Sequence, residues 1–241
     1  MTALPPYRVR AQNTAADSEN KIHEDRVAAE YGFRGGLVPG VTVYGYMTAP
    51  LVESAPDWLE RGSMQVRFLE PFYDGDEVIV RGEANGDGSI RITAERDDGT
   101  VCGNATAALQ ATSPRPAEWF PEHPLPRHRP SPSRDNLICG ALLGTVVEKL
   151  ETVETRQLLQ FSNEILARNF QLDPWIHTAS EIVNWSSAHP GDTIAARGRI
   201  QDRFDRKGHE FVVLDVMLIA NGDRLVQTVR HTAIYRPRSR N

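Results

Sequence analysis

The chain has 241 residues, of which 40% are hydrophobic and 24% are charged. This is the composition of a soluble globular protein, with room for one large domain or two small ones. A formal net charge of −5 with no offsetting basic stripe argues against a nucleic acid partner. The two cysteines are too few for a disulfide framework or a cysteine-based metal site. With no apolar signal segment at the N-terminus, we expect a cytoplasmic protein that does not enter a membrane.

The first forty residues carry the polar side chains with the strongest chemical potential. Residues 7–10 alternate and predict a short strand. Asn20, Ile22 and His23 follow in the run Ser-Glu-Asn-Lys-Ile-His, directly before a short apolar helical segment that Gly32 would end. His23 therefore lies where a loop enters a helix, a common place for catalytic side chains.

A glycine-rich turn then leads into a buried helix. The turn is Gly-Phe-Arg-Gly-Gly-Leu-Val-Pro-Gly, residues 32–40, and residues 41–52 after it are apolar and small. The pattern predicts a helix too short to span a bilayer. The free N–H groups around Gly40 and Val41, at the positive end of the helix dipole, can hold an anion or a developing oxyanion.

The next segment predicts an antiparallel meander. Strand-like runs occupy residues 64–68, 78–81, 89–93 and 101–109, with hairpin signals at residues 85–88 and 97–99. Seven prolines then make residues 113–135 a linker without helix or central strand. The sequence thus predicts a first unit over residues 1–112, a Pro-rich linker over 113–135 and a second unit over 136–241.

The second unit repeats the plan of the first. A strand is predicted over residues 145–150 and a helix over 156–170, followed by strands over 175–183, 193–204, 210–220 and 225–235. The sequence Gly-Asp-Glu-Val at residues 75–78 corresponds to Gly-Asp-Thr-Ile at residues 191–194, and both precede Arg-Gly at the same spacing. Two copies of a helix followed by a meander indicate an internal duplication.

The segment from Asn20 to Gly40 resembles the MaoC-like dehydratases, also called hydratase 2 or (R)-specific enoyl-CoA hydratases. Their signature is Asp-x-Asn-Pro-aliphatic-His. Asn20, Ile22 and His23 match its asparagine, aliphatic and histidine positions. Lys21 replaces the family proline, and Ser18 occupies the position of the family aspartate. The resemblance implies an α+β double hotdog fold, in which antiparallel sheet wraps around central helices. The second copy lacks the signature, so we expect one site, in the first copy, with the second completing the pocket.

The resemblance also implies the chemistry. We expect a lyase of fatty acid metabolism that hydrates an enoyl thioester or dehydrates a 3-hydroxyacyl thioester, carried on coenzyme A or on an acyl carrier protein. His23 would exchange the proton, Asn20 with Asp17 or Ser18 would orient the water, and Gly40, with Val41, would bind the thioester oxygen. No metal or other cofactor is implied, and the sequence leaves open whether the chain pairs with a second copy as a homodimer.

Two alternatives remain open because serine is not a general base at neutral pH without help. One is a hotdog thioesterase, in which Asp17 or Glu24 would activate water for attack on the carbonyl carbon. The other is a non-catalytic acyl-CoA-binding or partner subunit. The fold alone does not choose among the three functions.

Overall fold

The computed structural model describes residues 2–109 and 115–238. The first repeat contains, in chain order, β1 (Leu4–Arg10), a 3₁₀ turn (Lys21–His23), α1 (Asp25–Glu30), α2 (Gly40–Ser54), α3 (Trp58–Arg61), β2 (Gly62–Phe68), β3 (Glu77–Ala84), β4 (Ile90–Arg96) and β5 (Val101–Leu109). The second repeat contains β6 (Val146–Lys149), α4 (Thr155–Asn169), β7 (Ile176–Asn184), β8 (Thr193–Arg206), β9 (His209–Ala220) and β10 (Arg224–Arg236).

All ten strands form one antiparallel sheet in the order β1-β3-β4-β5-β2-β7-β10-β9-β8-β6. Each repeat contributes five consecutive strands in the same topology, and the two halves join where β2 pairs with β7. This pairing covers the inner sheet edge of each repeat, an edge that would otherwise be open to other chains. The predicted α+β double hotdog fold is therefore confirmed, although the boundary predicted at residues 112 and 113 lies outside the described residues.

Equivalent hydrogen bonds in the two halves show that the duplication extends to local structure. The Ala11 amide donates to the carbonyl of Asp76, and the Leu150 amide donates to the carbonyl of Asp192, both at 2.8 Å. Each aspartate follows a glycine with a positive φ angle, and its side chain accepts a hydrogen bond from the backbone three residues earlier. The repeated Gly-Asp sequence thus forms the same turn twice, next to each outer strand.

The two long helices pack against the inner face of the sheet and against each other. Helix α4 is amphipathic, as its periodicity predicts, with a buried face that includes Leu158, Leu159, Phe161, Ile165 and Leu166. Helix α2 is buried along most of its length, in keeping with its small and apolar sequence. Among the described residues, no helix has the length and apolar character needed to cross a membrane.

The described part of the linker has no helix or strand, yet it is held against the second repeat. Trp119 and Phe120 pack on a buried apolar cluster, and Arg197 donates to the Phe120 carbonyl at 3.1 Å and to Glu122 at 2.6 Å. The cluster consists of Met217, Ile219 and Leu225. The linker therefore covers part of the outer sheet face of the second repeat.

Candidate functional site

The 3₁₀ turn that carries His23 is fixed by a cap at its start and by a buried side chain within it. Asn20 caps its start, because the Asn20 Oδ1 atom accepts a hydrogen bond from the Ile22 amide at 3.4 Å. The Ile22 side chain is buried beneath the turn, in a small cluster with Ala28 and Leu37. The local sequence thus places the His23 ring on the opposite side, facing the cleft between the helices.

The hydrogen bonds of His23 define its tautomer. The Nδ1 atom lies 2.6 Å from the carbonyl oxygen of Leu37, so Nδ1 carries the proton and donates it. The Nε2 atom then bears a lone pair, and it lies 3.3 Å from the Asn20 Nδ2 atom. Burial lowers the pKa of His23 below 6.5, against a smaller opposing effect of the Leu37 carbonyl. His23 is therefore neutral at neutral pH, with a basic nitrogen at the cleft.

The glycine-rich turn packs directly against the backbone of His23. The Gly36 amide donates to the Asp25 Oδ1 atom at 2.7 Å, and the Asn13 Nδ2 atom donates to the His23 carbonyl at 2.8 Å. A Cβ atom on Gly36 would lie 2.0 Å from that carbonyl oxygen. Glycine is therefore required at this contact. Sequence analysis missed the roles of Asp25 and Asn13, because an acidic residue in the first turn of a helix is common without any tertiary contact.

Asn20 also connects the two repeats. Its Oδ1 atom accepts a hydrogen bond from the Trp175 amide at 3.1 Å, and its Nδ2 atom donates to the Trp175 carbonyl at 3.0 Å. Trp175 directly precedes β7. The two hydrogen bonds therefore tie the start of β7, in the second repeat, to the turn that carries His23. The sequence suggested Asn20 as a group that orients water, whereas its amide contacts backbone on one side and His23 on the other.

The remaining predicted residues of the His23 loop lie at different depths. Ser18 lines the cleft, and its hydroxyl donates to the carbonyl of Asn20 at 3.3 Å. Asp17 is exposed, and within residues 2–109 and 115–238 no hydrogen bond or ion pair joins it to His23. Glu24, the other carboxylate considered as a base, forms an ion pair with Arg26 at 3.4 Å. The structure therefore brings Ser18, Asn20 and His23 together and leaves the two carboxylates apart from them.

Helix α2 begins at the cleft, as the glycine-rich turn predicts. Gly40 is its first residue, and Pro39 and Val41 on either side line the cleft, whereas Gly40 itself does not line it. The first amides of a helix have no acceptor within that helix, so those of Gly40 and Val41 are available as donors. Strands β7 and β2 approach the start of α2 closely, which favours a glycine there. A Cβ atom at Gly40 would lie 3.0 Å from His177 on β7 and 3.2 Å from Phe68 on β2.

The second repeat forms the far wall of the cleft, which has a volume of about 930 Å³. The wall comes mainly from helix α4, whose lining residues are Arg156, Gln157, Gln160, Phe161, Asn163, Glu164, Ala167 and Arg168. Phe170, Leu172 and Trp175 extend it with apolar surface. The second copy thus borders the cleft, although it lacks the sequence signature.

The linker adds a basic residue that sequence analysis did not single out. Arg129 lines the cleft and donates to both carboxylate oxygens of Glu19, at 2.8 and 3.2 Å. It also donates to the carbonyl of Ala167 on α4 at 2.9 Å. The hydrogen bond and charge of Arg129 lower the pKa of Glu19. Arg129 therefore bridges the loop before His23 and the opposite wall, a contact that no local pattern in a proline-rich segment indicates.

A buried polar cluster lies behind Gly40. His177 Nε2 is 2.8 Å from the Ser180 hydroxyl, which is 3.3 Å from His231 Nδ1, and the two imidazole rings are 4.2 Å apart. Burial lowers the pKa of His231 to about 3, and burial together with His231 lowers the pKa of His177 well below 6.5. Both rings are therefore neutral, and they support the start of α2 as packed polar groups.

The site is thus a neutral imidazole facing a cleft that also contains a helix N-terminus. Such an arrangement can remove a proton from water and stabilise a developing negative charge. Among the described residues, no group of three or more histidine, cysteine, aspartate or glutamate side chains is arranged to hold a metal ion.

Comparison with known proteins finds structures with a similar fold. No protein-family model matches the sequence, and no curated protein matches it. Among solved structures, the chain is similar to a candidate MaoC domain dehydratase from Chloroflexus aurantiacus, with a TM-score of 0.61, 13% identity, and coverage of 99% of this chain and 95% of that one. A Mycobacterium tuberculosis protein described as a double hotdog gives a TM-score of 0.64 and 16% identity, over 97% and 96% of the two chains. An acyl-CoA thioesterase II from Mycobacterium marinum gives 0.59 and 15%, over 83% and 90%. At these identities the likeness establishes that the chain is a double hotdog protein.

Proposed function

We propose that this protein hydrates the double bond of an enoyl thioester, or catalyses the reverse dehydration, with His23 as the group that transfers the proton. The observation that carries the proposal is the tautomer of His23. Its Nδ1–H is held by the Leu37 carbonyl at 2.6 Å, so the basic Nε2 atom is directed to the cleft. The lowered pKa keeps that nitrogen unprotonated at neutral pH.

One imidazole is sufficient for both proton transfers in this reaction. His23 Nε2 removes a proton from water as the water oxygen bonds to the β-carbon, and the electron pair of the double bond moves toward the thioester oxygen. The imidazolium then donates the same proton to the α-carbon, which restores the neutral ring. Water is thereby added across the double bond without any other acid or base.

The neighbours of His23 have supporting roles in this proposal. The Asn20 Nδ2–H donates to the Nε2 lone pair across 3.3 Å and holds the ring in place, and this long hydrogen bond gives way when the attacking water takes its position. Catalytic hydrogen bonds are often long before substrate binds. Ser18 lines the same part of the cleft and is a second candidate to orient the water.

The negative charge that develops on the thioester oxygen would be stabilised at the start of α2. The amides of Gly40 and Val41 lie at the positive end of a helix of 15 residues, where donors have no acceptor within the helix. Asp17 is not required in this mechanism, since the proton passes through His23 alone.

The surroundings of His23 suit an acyl thioester. Apolar lining at Val41, Phe161 and Trp175 can accommodate an acyl chain, and Lys149 and Arg168 also line the cleft and can contact phosphate groups. The similar structures support this substrate class, since one is described as a dehydratase and another as an acyl-CoA thioesterase. Coenzyme A and an acyl carrier protein both present such a thioester.

Thioester hydrolysis is the second candidate function. Thioesterase structures are as similar to this chain as the dehydratase structure is, with TM-scores of 0.60 and 0.59 against 0.61. The same His23 nitrogen would then activate water for attack on the carbonyl carbon, with the Gly40 amide stabilising the tetrahedral oxyanion.

A product assay separates these functions. The protein is incubated with trans-2-enoyl-CoA thioesters of increasing chain length, and 3-hydroxyacyl-CoA and free thiol are measured in parallel. We expect 3-hydroxyacyl-CoA without thiol release. Thiol release from both enoyl and saturated acyl-CoA would instead establish a thioesterase. Binding of the thioester with neither product would indicate an acyl-binding subunit.

A further inference from the structure

A second concave region lies on the outer face of the sheet, away from the cleft at His23. On β2, exposed Gln65 and Arg67 flank Val66, which is buried in the core. On β5, Asn104 is exposed, whereas a Cβ on neighbouring Gly103 would face Met47 of α2 at 3.2 Å. The outward residues of these strands line a groove of about 840 Å³ that has no lining residue in common with the cleft. We call it the outer groove.

The strand register explains the shape of the outer groove. Arg67 on β2 is paired with Ala179 on β7, Ala179 with Thr232 on β10, and Thr232 with Val213 on β9. The two middle positions therefore carry short side chains and form a floor. With strands spaced about 4.8 Å apart, the floor separates β2 from β9 by roughly 14 Å. The floor is therefore wide enough for a small molecule to lie between β2 and β9.

The outer groove is basic, although the chain as a whole carries a net charge of −5. One carboxylate, Glu181, lines it among the described residues, together with five cationic side chains, which are Arg67, Arg91, Arg206, Lys207 and Arg230. Arg91 and Arg230 are paired with carboxylates, Glu83 and Asp215 respectively. Within the described ranges, the other three cations have no ion-pair partner. Such unpaired, clustered cations favour a ligand with several negative charges.

One side of the outer groove is aromatic. Phe204 on β8 is stacked on Phe211 on β9, with ring centroids 4.7 Å apart and an interplanar angle of 9°. Phe204 keeps 38% of its surface exposed, so its ring is accessible to a ligand in the outer groove. A supported and exposed ring of this kind can stack against a flat heteroaromatic group.

We propose that the outer groove binds a nucleoside di- or triphosphate, at a site separate from the cleft of His23. Arg67, Arg206 and Lys207 would contact the phosphates, and Phe204 would stack against the base. This assignment uses both the unpaired cations and the exposed ring. An acidic peptide would satisfy the cations, but it would leave the aromatic stack without a role. The proposal does not depend on the reaction at His23.

Calorimetric titration of the whole protein tests the proposal, with ATP, inorganic triphosphate, adenosine and coenzyme A as probes. We expect ATP to bind with a dissociation constant below about 1 mM, and more tightly than triphosphate or adenosine. Arg67→Glu and Lys207→Glu should each weaken ATP binding by about tenfold or more. The matched control is Arg81→Glu, which changes an exposed arginine on β3 outside the outer groove and should leave ATP binding unchanged.

A second set of variants separates the base from the phosphates and the outer groove from the cleft. Phe204→Ala should weaken ATP binding but leave triphosphate binding unchanged. His23→Ala should bind ATP as the unchanged protein does, even if the thioester reaction is lost. Coenzyme A binding through the cleft should persist in Arg67→Glu, because the cleft and the outer groove share no lining residue.

Three results would overturn the proposal. The first is no ATP binding up to millimolar concentrations. The second is ATP binding that Arg67→Glu and Lys207→Glu do not change. The third is self-association in sedimentation experiments that these two variants abolish and that ATP does not affect, because the outer groove would then be an interface between two copies of the chain.

Discussion

The side-chain amide of Asn20 forms two hydrogen bonds with the backbone of Trp175, one to its amide at 3.1 Å and one to its carbonyl at 3.0 Å. The two residues are 155 positions apart and belong to different repeats. Because Asn20 also contacts His23 Nε2 and caps its turn, the position of the candidate base depends on the docking of the second repeat. The second repeat therefore contributes to the candidate site in two ways, because it holds Asn20 in place and it forms one wall of the cleft.

Replacement of Asn20 by alanine tests this connection. Asn20→Ala removes the cap and both bonds to Trp175 and leaves partly buried backbone groups unpaired, so we expect a loss of about 2 kcal/mol in the free energy of unfolding. Asn104→Ala, on an exposed position of β5, is the matched control and should change it by less than about 0.5 kcal/mol. Urea unfolding of the two variants measures the difference. Equal stability of the two would show that the Asn20–Trp175 contact contributes little.

Gly36 offers a test of the backbone packing beneath His23. A Cβ atom there would lie 2.0 Å from the His23 carbonyl oxygen, a rigid backbone atom, so Gly36→Ala must displace the turn. We expect the free energy of unfolding to fall by about 2 kcal/mol or more. At Gly86 a Cβ would meet nothing within 4 Å, so Gly86→Ala should be nearly neutral. If thermal unfolding shows Gly36→Ala to be as stable as Gly86→Ala, the turn does not pack in this way.

The buried histidine pair predicts that stability falls in mild acid. The folded-state pKa of His231 is lowered to about 3 and that of His177 lies well below 6.5, whereas the unfolded chain titrates near 6.5. Below pH 6.5 the unfolded state therefore binds more protons, and stability decreases as the pH falls. Between pH 6.5 and 5 we expect each ring to cost roughly 1 to 2 kcal/mol.

Denaturant unfolding between pH 7 and 5 measures this loss. His231→Gln keeps a polar side chain at the position but does not titrate, so its stability should change less with pH than that of the unchanged protein. The same pH dependence in both proteins would mean that His231 takes up its proton without cost in the folded state.

The pH dependence of the proposed reaction should report His23. Because burial lowers the pKa of His23 below 6.5 and the reaction needs the neutral ring, kcat/KM should fall with decreasing pH, with its midpoint below 6.5. Steady-state rates from pH 5 to 8 on one enoyl-CoA test this, provided that the protein remains folded at each pH. A fall in kcat/KM with its midpoint above pH 6.5 would contradict the assignment of His23, whose pKa is lowered, as the base.

Much of the fold follows from sequence patterns. Alternating strands, the amphipathic residues of α4 and the repeated Gly-Asp turns at Asp76 and Asp192 predict two copies of a helix with a meander, and the structure confirms them. These features are local, so the residues that create them are neighbours in the chain.

The parts of the site that sequence patterns missed depend on distant contacts. Nothing near Asn20 indicates Trp175, and nothing near Arg129 indicates Glu19. The histidine cluster depends on an irregularity in the pairing of β7 with β10, where Thr178 is an extra residue between the paired positions Ala179 and His177. Without this bulge, His177 and Ser180 would point to opposite faces of the strand, because side chains alternate between the two faces along a regular strand and these residues are three positions apart.

The most direct test of the central claim is the rate of hydration of a trans-2-enoyl-CoA by the unchanged protein, by His23→Ala and by His128→Ala. His128 is an exposed histidine of the linker and serves as the matched control. We predict hydration by the unchanged protein and by His128→Ala, and a rate at least about 100-fold lower for folded His23→Ala, as expected for a lost general base. Hydration by His23→Ala at the unchanged rate would contradict the role assigned to His23.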